Sequence, residues 1–228
     1  MDSTTELSLP VAFNFRDVGG LSLLDGNSVN RQCLFRSAEP EKLDLFSFQK
    51  FIRSQRIKTV IDLRSSDEQR KDYSNLVDVE TQFLSVPLFE SINRSWANPK
   101  NTNALATARR YLEILEVGSS AIREIIGILS DKQNHPVLVH CAAGRDRTGI
   151  VIAVLLKLSG CESSELSNDY AKSDQAVSDG YRALPETIDH LFDLVNQKYS
   201  SLTAFMNANG VTNERIELMK KSLTRPNP

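Results

Sequence analysis

The chain has 228 residues, with 27 Lys and Arg against 29 Asp and Glu, a formal charge of −2. Apolar residues make up 40% and charged residues 25%, which excludes disordered, collagen-like and coiled-coil chains. At this length folding hides roughly 70% of the unfolded surface, so a core forms without staples. One domain spanning residues 1–228 is the expectation.

The near-balanced charge and the lack of a long basic run argue against a nucleic-acid partner. Three cysteines, Cys33, Cys141 and Cys161, cannot all pair internally and have no zinc spacing, which fits a reducing compartment. Met1–Pro10 lacks a basic-then-apolar leader pattern. The longest strongly apolar stretch, Ile150–Leu156, is too short to span a bilayer. A cytoplasmic monomer without a transmembrane segment is therefore expected.

In chain order, Gln32–Arg36 reads as a short strand. Leu45, Phe48, Phe51 and Ile52 recur at helical spacing within a helix over Leu43–Ile52. The β-branched Lys58–Leu63 reads as a buried strand, and Gln82–Val86 as another. Asn103–Ser130 is helical, with Gly118 a possible break. Pro136–His140 suits a central strand, and Arg145–Leu158 an apolar helix. Ile188–Tyr199 and Ile216–Leu223 close the chain as amphipathic helices. Strands alternating with helices argue for an α/β domain whose central, mostly parallel sheet is flanked by helices, with a helical C-terminal part. In such a sheet ligands bind beyond the C-terminal strand ends. Asp62-Leu63-Arg64 and His140-Cys141 load two of those ends with chemistry.

Residues 140–149 read His-Cys-Ala-Ala-Gly-Arg-Asp-Arg-Thr-Gly. A short loop between a strand and a helix N-terminus aims backbone N–H groups at one point and makes an anion site. Ala142 and Ala143 are small enough to leave room for a phosphate. Gly144 permits unusual backbone angles, and Gly149 close helix packing. The electropositive cradle favours the thiolate of Cys141, the nucleophilic form. Arg147 offers a planar fork matched to two phosphate oxygens. Thr148 can donate a hydroxyl hydrogen bond to the sulfur. His140 supports the loop rather than acting as a base. The plain alternative is a buried structural cysteine before an ordinary helix start.

The Cys-x5-Arg-Thr loop resembles that of cysteine-dependent tyrosine and dual-specificity phosphatases. Phe15-Arg-Asp-Val-Gly-Gly20, Leu34-Phe-Arg-Ser37, Ile61-Asp-Leu-Arg64 with Glu68, and Val211–Leu223 resemble further blocks of one bacterial and fungal branch. Some members of that branch act on phosphoinositides. The resemblance runs from about Phe13 to Leu223. It implies a tyrosine-phosphatase-like fold, a phosphate-binding loop at 140–148, no metal and no organic cofactor. Arg145 stands where many members have lysine.

Phosphoester cleavage by a thiolate needs a proton for the leaving oxygen. The candidate lid, within 90–110, carries no Asp between Glu90 and Asn103. That leaves Asp146, where the branch is thought to carry its acid, and Asp62 as the second candidate. A role for Asp146 in favouring the helix N-terminus competes with catalysis. Arg64 either helps to bind phosphate or pairs with Asp67 or Glu68. Asn14, Arg16 and Asp17 fit a buttressing turn. Cys33 and Cys161 are inert or redox partners of Cys141. His135 and His190 lack a ligand cluster. Arg94, Lys100, Arg109 and Arg110 form a basic rim or a solvated face.

The resulting expectation is a phosphomonoesterase working through a phosphocysteine, on phosphotyrosine proteins and on phosphoinositides. Nucleotides, isoprenoid phosphates and other small phosphates stay open as substrates. A non-catalytic phosphate-binding module and a sulfurtransferase are the competing classes.

Overall fold

The computed structural model describes residues 9–69, 80–91, 103–176 and 182–225. The main sheet has five strands: β1 (Arg16–Asp17), β3 (Leu34–Ser37), β4 (Thr59–Asp62), β5 (Gln82–Ser85) and β6 (Val137–His140). Their spatial order is β1-β3-β6-β4-β5. Only β1 runs antiparallel to its neighbour; β3, β6, β4 and β5 are mutually parallel. β2 (Ser28–Val29) and β7 (Thr224–Arg225) form a separate antiparallel pair.

The strand at Gln32–Arg36 is displaced to Leu34–Ser37 because the chain turns at Gln32, whose φ is +54°. β6 lies at the centre, between β3 and β4, and all four of its residues are buried. The apolar run Val137-Leu-Val139 fits a strand covered on both faces.

Around the sheet lie α1 (Leu45–Ser54), α2 (Ala104–Val117), α3 (Ser119–Leu129), α4 (Asp146–Leu158), α5 (Ser163–Ala171), α6 (Glu186–Tyr199), α7 (Leu202–Ala208) and α8 (Asn213–Leu223). Several helices start on side-chain caps. Asp44, Asn103, Ser201 and Thr212 accept the N–H of Ser47, Ala106, Ala204 and Arg215, each cap stabilising its helix by about 1 kcal/mol. The helix expected over Asn103–Ser130 breaks into α2 and α3 at Gly118. A Cβ there would lie 2.5 Å from Leu88 Cδ1, so the bend needs glycine to pack. α4 is buried without a break from Thr148 to Leu156, as its continuous apolar sequence demands.

A second core beneath β3 and β4 collects Phe13, Phe35, Phe48, Phe51 and Val60. Phe13 and Phe15 both meet the Phe51 ring edge-on, at centroid distances of 5.3 and 4.6 Å. This anchors residues 13–16 on the sheet. Asn14 lies between the two aromatic anchors and Arg16 just beyond them, and both side chains turn to the far end of the strands.

Candidate active site

The strand register assembles the site. Ser37, His140, Asp62 and Ser85 stand level with one another at the C-terminal edge of the four parallel strands. The chain leaves β6 at His140, passes through Cys141–Arg145 and enters α4 at Asp146. Cys141 is 2% exposed and occupies the start of this loop.

Three successive carbonyls of the loop are held from outside. The N–H of Glu39 donates to Ala142 O (3.1 Å), Asn14 Nδ2 to Ala143 O (3.1 Å) and Arg36 Nη2 to Gly144 O (2.7 Å). In a trans peptide the next N–H points opposite to the carbonyl. The N–H groups of Ala143, Gly144 and Arg145 therefore turn away from those partners, into the loop. Gly144 has φ +67°, and a Cβ there would sit 2.4 Å from Ser37 O. Only glycine meets both conditions.

Behind the loop lies a buried charge cluster. Asp169 of α5 accepts from Arg16 Nε (2.7 Å) and Arg36 Nη1 (2.5 Å). Arg16 also donates to Asn14 Oδ1 (2.6 Å). Burial opposes ionisation of Asp169, but Arg36 and Arg16 bring its carboxyl below the usual range. Burial, then the neighbouring Arg36, lowers Arg16 to about 10, against the pull of Asp169. One carboxylate thus holds both arginines, and through them two carbonyls of the loop. Asp17 accepts the N–H groups of Gly19 and Gln32, the turn-forming role expected of it.

Arg147 enters the site from the first turn of α4. Its Nη1 and Nη2 meet the two oxygens of Glu68 at 2.5 and 2.8 Å, and its guanidinium lies over the Phe89 ring. Burial works against its charge, but Cys141 and Glu68 raise its hold on the proton overall. Burial likewise opposes ionisation of Glu68, and Arg147 more than offsets it. The bidentate pair uses two of five guanidinium N–H groups and leaves three for a ligand. Glu68, expected as a partner of Arg64, is thus the group that orients Arg147. Thr148 is fully buried, and its Oγ1 has no hydrogen-bond partner among the described residues.

Asp146 is 29% exposed. Tyr111 donates to its Oδ1 (2.7 Å), Arg110 Nη2 approaches the same oxygen (3.4 Å), and Arg145 Nε meets Oδ2 (3.2 Å). Asp62 stands elsewhere in the site. It takes the backbone N–H of Arg64 (2.9 Å) and the Arg64 guanidinium (Nη2–Oδ2 2.8 Å), and lies 3.8 Å from His140 Nε2. Burial opposes its ionisation, while His140 and Arg64 bring it below the usual carboxylate range. Complete burial pulls His140 below its ordinary value despite Asp62. The ring is therefore uncharged at neutral pH, and Arg64 supplies the cation beside Asp62.

Arg64 is 1% exposed and pairs with Asp62, Glu39 and Glu41. Its partners are not the expected Asp67 or Glu68, because the fold brings Glu39 and Glu41 within 3.1 and 3.0 Å of its guanidinium. His140 Nδ1 lies 3.3 Å from the Cys141 carbonyl, a loop-supporting position.

The other cysteines stand far from Cys141. Cys33 pairs its carbonyl with Val137 N, at the opposite end of β6, roughly 13 Å away at strand rise. Cys161 lies beyond the C-terminus of α4, roughly 20 Å along the helix. A disulfide requires Cα atoms within about 7 Å, so neither can bridge to Cys141 in this fold. Burial pushes the Cys33 thiol up to about 11 and the Cys161 thiol up to about 12.

Among the described residues no cluster of His, Cys, Asp or Glu is arranged to hold a metal, and no helix is long and apolar enough to cross a membrane. Of the basic rim, Arg110 reaches Asp146 and Arg109 is exposed. Arg94, Lys100 and most of the candidate lid lie outside the described residues.

Known proteins are similar to this chain. The triple specificity protein phosphatase PtpB of Mycobacterium tuberculosis is 28% identical over 214 residues, covering 81% of this chain and 75% of that protein. The inositol diphosphatase DSP4 of Arabidopsis thaliana is 26% identical over 172 residues, covering 75% and 73%. The solved catalytic core of Siw14 shares the fold at a TM-score of 0.50 and 18% identity, covering 88% of this chain and 94% of that one. The model of the tyrosine phosphatase family matches residues 7–225. From the anchored Phe13 to the end of α8 the chain lies within that match, and it belongs to the tyrosine phosphatase family as a cysteine-dependent phosphatase.

Proposed function

We propose that the chain hydrolyses phosphomonoesters through a covalent phosphocysteine on Cys141, with phosphotyrosine in proteins and phosphoinositides as its substrates. The observation that carries this reading is the loop whose carbonyls are held outward around a buried Cys141, with Arg147 set by Glu68. The Cys141 thiolate attacks phosphorus in line, an S–P bond forms and the ester P–O bond breaks. Inward N–H groups and the Arg147 fork stabilise the equatorial oxygens. Asp146 gives its proton to the leaving oxygen. In the second step Asp146 takes a proton from water, the water oxygen attacks phosphorus, and the S–P bond breaks to return thiolate and inorganic phosphate. Thr148, whose buried hydroxyl has no partner among the described residues, donates to the sulfur as it leaves.

A second reading keeps the chemistry and changes the substrate to phosphate or diphosphate groups on an inositol ring. It is favoured by Arg110 and Arg145, two guanidinium groups flanking the acid, and by the similarity to an inositol diphosphatase.

The test is phosphate release from a phosphotyrosine peptide, a phosphoserine peptide, phosphoinositides, inositol phosphates and an isoprenoid phosphate, with wild type and Cys141→Ser. Turnover lost in Cys141→Ser, with phosphate-analogue binding retained, is the expected result. Undiminished turnover in that variant refutes the mechanism. Preference for inositol phosphates over the peptide decides for the second reading.

A further inference from the structure

Asp146 does not stand alone at the start of α4. Tyr111 of α2 and Tyr170 of α5 are both buried, at 0% and 1% exposure. Their rings cross at 89° with centroids 6.0 Å apart. Their hydroxyls lie 2.7 Å from each other, and Tyr111 lies 2.7 Å from Asp146 Oδ1.

The direction of this chain follows from proton counting. An ionised carboxylate only accepts, and a phenol has one proton to give. Tyr111 therefore donates to Asp146 and accepts from Tyr170. Gly149, one turn into α4, keeps the path open: a Cβ there would lie 3.0 Å from the Tyr170 ring. One hydroxyl thus docks on the one carboxylate that the phosphate loop carries, and a second, from an element remote in sequence, docks on the first.

We propose that Tyr111, backed by Tyr170, is a positioning residue for Asp146, fixing its aim and its readiness to give up a proton. This rests on the reading of Asp146 as the general acid. An acid on a partly exposed first turn would otherwise sample several rotamers, and misplacement by about 1 Å costs a proton transfer dearly. Among the described residues the charged groups facing Asp146 are Arg110 from α2 and, from its own loop and helix, Arg145 and Arg147. All three remain when the phenol is removed, so the contribution of Tyr111 can be isolated.

A hydrogen bond donated to a carboxylate favours its ionised form. Removing it holds the proton on the acid to higher pH. In Tyr111→Phe the alkaline limb of kcat against pH is expected to move up. At neutral pH kcat falls roughly 3- to 10-fold on an alkyl phosphate. It falls less on an aryl phosphate with a good leaving group, and KM changes little. Tyr170→Phe leaves the direct bond intact and shifts the limb in the same direction by less. A merely structural role would lower Tm without moving the limb.

Asp146→Asn is the reference. If it abolishes the alkaline limb and Tyr111→Phe moves that limb, the proposal stands. If Asp146→Asn abolishes the limb while folded Tyr111→Phe leaves it in place, Tyr111 is not a positioning residue, and the reading of Asp146 survives. If the limb persists in Asp146→Asn, Asp146 is not the acid and both fall. Should Tyr111→Phe not fold, an unmoved limb in folded Tyr170→Phe overturns the proposal.

Discussion

Asp169→Leu tests whether one buried carboxylate sustains the phosphate loop. Asp169 is 5% exposed in its side chain, and its partners Arg36 and Arg16 are 1% and 14% exposed. Removing it leaves two nearly buried guanidinium groups without a counter-charge, a change that costs about 3–5 kcal/mol. At about 2 °C per kcal/mol for a chain of this length, Tm falls by roughly 6–10 °C. The sign with pH is defined. The Asp169 carboxyl is depressed in the folded state, so its contribution is complete above the ordinary carboxylate value and is lost as pH falls through the lower folded value. The deficit of the variant is therefore constant across neutral pH.

The companion variant Arg16→Met, Arg36→Met, Asp169→Leu removes every buried charge of the cluster and recovers much of the Tm, as hydrophobic replacement of buried ion pairs does. It still lacks the Arg36 tie to Gly144 O and the Arg16 bond that orients Asn14 towards Ala143 O. Its affinity for vanadate, read by inhibition or calorimetry, falls by roughly 10-fold or more, since a charged hydrogen bond contributes about 1.5–3 kcal/mol. A Tm within about 2 °C of wild type for Asp169→Leu, or wild-type vanadate affinity in the triple variant, refutes the reasoning.

Other outcomes follow from single positions. Gly144→Ala forces a side chain onto φ +67° and into Ser37 O, and calorimetry is expected to show a loss beyond the roughly 1–3 kcal/mol of the backbone angle alone. Gly127→Ala, in α3 with nothing within 4 Å, raises stability by roughly 0.5–1 kcal/mol. His140 has a folded value depressed below 6.5 by burial, so thermal stability is complete above about pH 6.5 and declines as pH falls below it. His140→Gln flattens that decline in a Tm–pH series. Peroxide treatment adds oxygen to Cys141 without an intramolecular disulfide to Cys33 or Cys161, which intact-mass spectrometry reads directly.

The site loop was legible because its chemistry is contiguous. Strand, cysteine, glycine, arginine and helix start occur within ten residues, and the structure builds them as a loop between β6 and α4. The buttress at Asn14 and Arg16 was legible in kind, since paired glycines mark a turn. Asp169 was not. It lies on α5, a nine-residue helix whose buried residues Leu166, Ser167, Asp169 and Tyr170 mix apolar with polar. A periodicity of apolar residues cannot reveal a buried carboxylate on such a face. Nothing in the sequence singled out Tyr111, because its hydroxyl partner lies 35 residues away. Arg36 carried a signal that could have been used: a charged residue in the middle of an otherwise buried strand requires a buried counter-charge. Arg64 was paired with its sequence neighbours on proximity alone, while the fold brings Glu39 and Glu41 closer.

The three outward ties of the loop share one origin. Glu39, Asn14 and Arg36 all lie within the first forty residues, a hundred positions before the cysteine. A polypeptide beginning at Arg56, a bend with φ +53°, would keep the whole Cys-x5-Arg sequence, Glu68 and Asp146. It would nonetheless have no cradle. The two pieces on either side of that bend are thus halves of one tool, and phosphate binding regained on mixing them would report their reunion.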